Sequence, residues 1–126
     1  MNKNLLIVDD SATIALSVKY IFEQNDYCVF HASDGAAGKD LLDELIESDK
    51  KLSLIILDIN MPKKNGLELL KEIKSDDKSR FIPVLMLTSE SQIDKMSEAK
   101  KLGATGYLVK PFHPEQLLSM ANKFSR

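Results

Sequence analysis

The sequence predicts an α/β protein with a doubly wound, five-stranded parallel sheet and helices on both of its faces. Two observations carry this. Five short runs are apolar at every position, as in strands buried on both sides. The longer stretches that follow them repeat apolar residues every three to four positions, the step that lines one face of a helix. Such alternation implies right-handed crossovers and a parallel sheet.

The five runs fall at residues 5–8, 28–30, 54–57, 84–87 and 107–109. The first helix is marked by Ile14, Val18, Ile21 and Phe22, with Ser11 placed to cap it. The second is marked by Ala37, Leu41 and Leu45. The third carries Leu67, Leu70 and Ile73, introduced by Asn65-Gly66. The fourth carries Ile93, Met96 and Ala99, then Leu102, with Ser91 as its cap. Gly103 and Gly106 break the chain before the fifth strand. The last helix shows Leu117, Ala121 and Phe124, and Pro114 suits its first turn.

The 126 residues fit one domain (1–126), large enough to fold without disulfides or a structural metal. There are no repeats or linkers, and a single domain without an output domain is expected. An apolar fraction of 44% with 29% charged residues is that of a soluble globular protein. The net charge of −2 argues against nucleic acid or an anionic membrane as partner. Cys28 is alone, in an apolar stretch, and reads as a small buried hydrophobe in a reducing compartment. No signal peptide is recognisable, and no apolar run approaches the roughly 20 residues that span a bilayer. A cytoplasmic protein is expected.

In an open α/β sheet, ligands bind beyond the carboxyl ends of the strands. There the sequence places Asp9 and Asp10, Asp58, Thr88 and Ser89, and Lys110 and Pro111. The second run leads into His31, Ala32 and Ser33. Three carboxylates in one place repel unless a cation or protons intervene, and Mg²⁺ with oxygen ligands resolves the conflict. A carboxylate can serve as the nucleophile for a phosphoryl group, with Lys110 and Thr88 supplying charge and a hydrogen bond. Each residue alone reads more simply as a solvated acid, a turn former, a capping hydroxyl or a surface lysine. Their convergence at the ends of four strands changes that reading.

Four segments, Leu6-Ile7-Val8-Asp9-Asp10-Ser11, Leu57-Asp58-Ile59-Asn60-Met61-Pro62, Leu87-Thr88-Ser89 and Val109-Lys110-Pro111-Phe112, resemble the receiver domain of two-component response regulators, in particular the stand-alone type. The resemblance covers nearly the whole chain. It implies a flavodoxin-like sheet of order 2-1-3-4-5. It further implies that Asp58 is the phospho-acceptor. Asp10, Asp58 and the Asn60 carbonyl would bind Mg²⁺, with Asp9 acting through water. Lys110 would pair with the phosphoryl group and Thr88 would turn towards it. Ser89 is the small residue that keeps the acceptor accessible, and Asn60 and Glu90 line the path of the hydrolytic water. Tyr107 is the switch aromatic, and the Lys110–Pro111 peptide is expected to be cis. The phosphodonor is a partner histidine kinase or phosphotransfer protein. The output is a protein partner on the face of helix four, strand five and helix five. Such a domain catalyses its own phosphorylation and dephosphorylation but is not a conventional enzyme. It is expected to be a monomer acting as a chemotaxis-type regulator, with a phosphorelay intermediate as the alternative.

His31 and His113 lack metal-ligand spacing and read as structural or solvent-facing. Met61, Met86, Met96 and Met120 read as fillers, Asp76 and Asp77 as a solvated loop, and Lys63, Lys64, Lys100 and Lys101 as exposed charges. A flavodoxin-like nucleotide binder is the rival from another class. It would want a phosphate-cradling loop where Asp9 and Asp10 stand. A phosphatase using an aspartyl phosphate usually carries Asp-x-Asp after its first strand, a spacing missing here.

Overall fold

The computed structural model describes residues 3–61 and 63–125; Pro62 of the second matching segment lies outside them. The elements alternate as β1 (Lys3–Val8), α1 (Ala12–Glu23), β2 (Tyr27–Ala32), α2 (Gly35–Glu47), β3 (Leu52–Asp58), α3 (Gly66–Ser75), β4 (Val84–Thr88), a 3₁₀ segment (Glu90–Lys95), α4 (Met96–Lys101), β5 (Gly106–Val109) and α5 (Pro114–Phe124). The strands form one parallel sheet of order β2-β1-β3-β4-β5, as expected.

Strand pleating sorts the core into two layers. Leu6, Val8, Ile55, Leu57, Val84 and Met86 pack with Leu42, Leu69, Leu70 and Ile73 of α2 and α3. Leu5, Ile7, Leu54, Ile56, Leu85 and Leu87 pack with Val18 and Phe22 of α1 and Leu117 and Ala121 of α5. Every residue of β3 is buried, which is why that stretch reads as continuously apolar.

Burial on both faces does not extend to the edges. Cys28 in β2 is half-buried, and Tyr107 in β5 is exposed. Each edge strand has only one neighbouring strand and incomplete cover.

Helix starts follow the expected chemistry in three places. Ser11 Oγ accepts from the Ile14 amide. The Asn65 side chain accepts from the Glu68 amide while Glu68 Oε1 accepts from that of Asn65, a capping box. Pro114 occupies the first position of α5.

Two helices depart from their expected forms. α2 buries Gly35, Gly38, Leu42 and Leu45, while Ala37 is exposed and Leu41 half-buried. The reason lies in the glycines: a Cβ on Gly38 would meet both Val8 methyl groups at 2.9 Å. The helix thus lies against β1 through residues that an apolar count passes over. The fourth helix is split. Residues 90–95 form a 3₁₀ segment that buries nothing, and α4 proper begins at Met96. Without a buried face the polar run Glu90-Ser91-Gln92 has little to hold it in α form. Ser91 caps no helix; its hydroxyl lies 2.9 Å from that of Ser89, which precedes the segment.

α3 starts directly beneath the end of β3. A Cβ on Gly66 would fall 2.4 Å from the Asp58 carbonyl oxygen and 2.8 Å from Ile59 Cα. Helix propensity favours alanine over glycine by about 1 kcal/mol, but a clash with backbone is larger. Gly66→Ala should therefore destabilise the protein by about 2–3 kcal/mol, read as a lower urea midpoint at constant slope. A raised midpoint would show that α3 can move away from Asp58 at little cost.

Candidate functional site

Pairing in the sheet dictates where the acids meet. Leu5 pairs with Leu54 and Ile7 with Ile56. Two residues further on, at the same parity, stand Asp9 and Asp58. Both carboxylates therefore leave the sheet end on one face. β5 carries Val109 alongside Thr88, so the next residue, Lys110, arrives at the same edge. Its amide donates to the Thr88 carbonyl at 2.6 Å, and the Lys110–Pro111 peptide is cis.

The Lys110 ammonium lies 3.1 Å from Asp9 Oδ2 and 3.1 Å from Asp58 Oδ2. Asp9 Oδ1 accepts from the Ser11 amide at 2.8 Å, and Asp58 Oδ1 from the Asn60 amide at 3.2 Å. Asp9 and Asp58 are buried whereas Asp10 is exposed. Even so, one carboxylate oxygen from each of the three lies within 4.8 Å of the others.

Three carboxylates against one ammonium leave the cluster with an uncompensated charge of about −2 when all are ionised. The strain shows in Asp58: burial, followed by the charge of Asp9, pushes its pKa up to about 6, against the opposing pull of Lys110. The Lys110 pKa is also raised, which for a base favours the charged form. Burial works against its charge, but Asp58 and Asp9 outweigh that and hold its pKa above the ordinary value. Asp9 Oδ2 is buried without a well-directed hydrogen bond, the Lys110 contact being electrostatic. A small divalent cation fits this donor set, since it would neutralise the surplus charge and take oxygen ligands.

The remaining residues lie around this cluster. Thr88, fully buried, ends β4, and its hydroxyl donates to the Ser89 carbonyl at 3.2 Å. Ser89 is half-buried, whereas Asn60 and Glu90 are exposed. The Tyr107 ring, 44% exposed, points outward on the edge strand. Next to it a cavity of about 200 Å³ is lined by residues that include Met86, Met96, Ala99 and Thr105. His31 was expected to be structural or solvent-facing and is exposed, but its Nε2 lies 2.9 Å from the Asp9 carbonyl oxygen. The sequence carries no signal for this: His31 shares the strand parity of the buried Tyr27 and Val29, yet is itself exposed and reaches the backbone beyond β1.

A sequence profile of the response regulator receiver domain matches residues 5–122. The chain belongs to that family. Chemotaxis protein CheY1 of Helicobacter pylori is 38% identical over 114 residues, covering 90% of this chain and 89% of that protein. Sporulation initiation phosphotransferase F of Bacillus subtilis is 30% identical over 124 residues, covering 98% and 94%. The structure of the chemotaxis response regulator CheY4 of Vibrio cholerae superposes with a TM-score of 0.84 at 37% identity, covering 98% of this chain and 99% of that one. The receiver domain is a phospho-accepting signalling module rather than a conventional enzyme, and it works with histidine kinases or phosphotransfer proteins. The acidic triad Asp9, Asp10 and Asp58 is typical of its metal site. Among the described residues no helix is long and apolar enough to cross a membrane.

The raised pKa of Asp58 has a defined consequence for stability. Its carboxyl moves from 3.8 up to about 6 on folding, so between those values the native state holds a proton that the unfolded chain has released. Stability then falls as pH rises through that window, and the full cost is present above it. In chelator at about pH 8, Asp58→Asn should stabilise the protein by about 1–2 kcal/mol, a gain that fades as pH is lowered towards about 4. Urea unfolding across that range measures it; a gain independent of pH would mean that charge at Asp58 is not its source.

Proposed function

We propose that this chain is a phospho-acceptor switch in which Asp58 takes a phosphoryl group from a histidine kinase or a phosphotransfer histidine in a Mg²⁺-dependent reaction. The observation that carries this reading is the Lys110 ammonium, 3.1 Å from carboxylate oxygens of both Asp9 and Asp58, in a cluster that Asp10 completes. Asp10, Asp58 and the Asn60 carbonyl would hold Mg²⁺, with Asp9 acting through water. The bound ion supplies positive charge against the incoming phosphoryl oxygens.

An oxygen of the Asp58 carboxylate attacks phosphorus, the phosphorus–nitrogen bond to the donor imidazole breaks, and the imidazole leaves with that electron pair. Lys110 moves from pairing two carboxylates to pairing the phosphoryl group. The Thr88 hydroxyl, which in this conformation donates to the neighbouring carbonyl, turns to donate to a phosphoryl oxygen. Space opens below the loop into the 3₁₀ segment, and Tyr107 rotates from its exposed position towards it. The remodelled surface, with Ile93, Lys95, Tyr107 and the start of α5, suits a partner helix or peptide; Met96, expected on the same face, is buried in the core instead.

For the pathway we favour a chemotaxis-type regulator, in keeping with the likeness to chemotaxis proteins of H. pylori and V. cholerae. A phosphorelay intermediate is the second reading, favoured by the likeness to the B. subtilis sporulation phosphotransferase. The polar side chains of Asn60 and Glu90 suit the first, because they can orient a water for attack on the acyl phosphate.

Acetyl phosphate with Mg²⁺ should add one phosphoryl mass, and either Asp58→Asn or chelator should abolish it. Labelling that persists in Asp58→Asn would exclude this acceptor. Replacing Asn60 and Glu90 together with bulky apolar residues should slow decay of the label by about tenfold or more without preventing its formation. An unchanged lifetime would remove those side chains from the hydrolytic step.

The output face is tested by amide exchange with and without a phosphoryl mimic. Protection should change from Thr88 to Pro114 as well as in the acidic loops. Changes confined to the loops bearing Asp9, Asp10 and Asp58 would exclude this face.

A further inference from the structure

Asp9 is held from every side. Its amide donates to the Ala32 carbonyl at 3.1 Å, its Oδ1 accepts from Ser11 and its Oδ2 faces Lys110. The one remaining polar group is its carbonyl oxygen, and the His31 ring supplies the partner, with Nε2 at 2.9 Å. A carbonyl only accepts, so Nε2 carries the proton in this contact. His31 pairs with Ile7 in the sheet, two residues before Asp9, and its ring reaches forward along β1 to the turn.

That turn presents Asp10, the one exposed carboxylate of the triad. Its orientation depends on the peptides on either side. The Ser11 amide is fixed by Asp9 Oδ1, and the Asp9 carbonyl is fixed by His31. Without the ring, the Asp9–Asp10 peptide loses its clamp and only the Asp10–Ser11 peptide stays fixed, while the buried Asp9 carboxylate keeps its partners. The loss would fall on the placement of Asp10 rather than on the core, because His31 itself is solvent-exposed. Groups that hold a metal ligand in place tune affinity without touching the metal.

We propose that His31 is a positioning residue for the divalent ion: by holding the Asp9 carbonyl, it fixes the turn that presents the Asp10 carboxylate. This rests on the reading of Asp9, Asp10 and Asp58 as a Mg²⁺ site. The bland alternative is a strand-edge histidine whose contact with the carbonyl has no consequence for the site.

The two are separated by titrating Mg²⁺ into wild type, His31→Ala and His31→Gln at about pH 8, following the amide signals of Asp10 and Ser11 by NMR. Glutamine places an N–H donor close to the position of Nε2. Loss of one hydrogen bond predicts a Kd about fivefold higher for His31→Ala, with His31→Gln within about twofold of wild type. In acetyl phosphate labelling, His31→Ala should need correspondingly more Mg²⁺ for half-maximal rate and reach the wild-type rate at saturation. Equal Kd values in all three proteins would overturn the proposal. So would equal weakening in both variants, or a loss of maximal rate at unchanged Mg²⁺ requirement. A wild-type chain that binds no Mg²⁺ overturns the metal-site reading itself, and with it the role of His31; a wild-type chain that binds Mg²⁺ with the variants unaffected overturns only the latter.

Discussion

The structure turns on one electrostatic constraint: two carboxylates, those of Asp9 and Asp58, are buried side by side at the end of a parallel sheet with a single ammonium between them. Burying like charges is costly, and one lysine does not cancel three acids. The fold accepts this because the rest of the molecule is well determined. β3 is buried throughout, both faces of the sheet are covered, and α3 begins so close to Asp58 that Gly66 has no room for a side chain. The cluster is thereby held open to a cation, the species that would balance it.

The same constraint links sheet register to chemistry. A slip of one residue between β1 and β3 would send Asp9 and Asp58 to opposite faces, because side chains alternate along a strand. Both core layers enforce the register, since Leu5 and Ile7 face α1 and α5 while Leu6 and Val8 face α2 and α3. Apolar packing within the sheet thus decides where the charges at its end must stand. Lys110 depends on the same geometry through β5, whose pairing with β4 brings its amide to the Thr88 carbonyl.

Much of this was legible in the sequence, and what was not has physical causes. Five short apolar runs revealed the strands because a doubly covered parallel sheet leaves no polar face to interrupt them. The runs at 28–30 and 107–109 look like the others, yet they are edges: hydrophobicity alone does not record which strand has only one neighbour. The buried face of α2 is hidden from apolar periodicity because Gly35 and Gly38 pack by absence of a side chain. The fourth helix looks continuous in the sequence because Ile93 falls in step with Met96 and Ala99, yet Ile93 is 43% exposed and belongs to a 3₁₀ segment. The acids, the threonine and the lysine could be picked out as strand-end residues. The contact between His31 and the Asp9 carbonyl could not, since it joins a side chain on one strand to the backbone beyond another.

The 3₁₀ segment also bears on how such a fold can move at all. A well-packed core resists small displacements, so a conformational signal must pass through something weakly held. Glu90–Lys95 is such an element, for it buries no side chain and lies between Thr88 and the start of α4. Shifting it sacrifices little apolar contact, whereas shifting β3 or α3 would expose residues such as Leu57 and Leu70 that are now fully buried. Tyr107 is exposed on an edge strand and lines, with Met96 at the start of α4, a cavity of about 200 Å³. A balance of only a few kcal/mol between two arrangements there is enough for one added phosphoryl group to tip. The contrast between a rigid floor under Asp58 and a loosely held segment after Thr88 means that displacement is cheapest after Thr88, while β3 stays fixed.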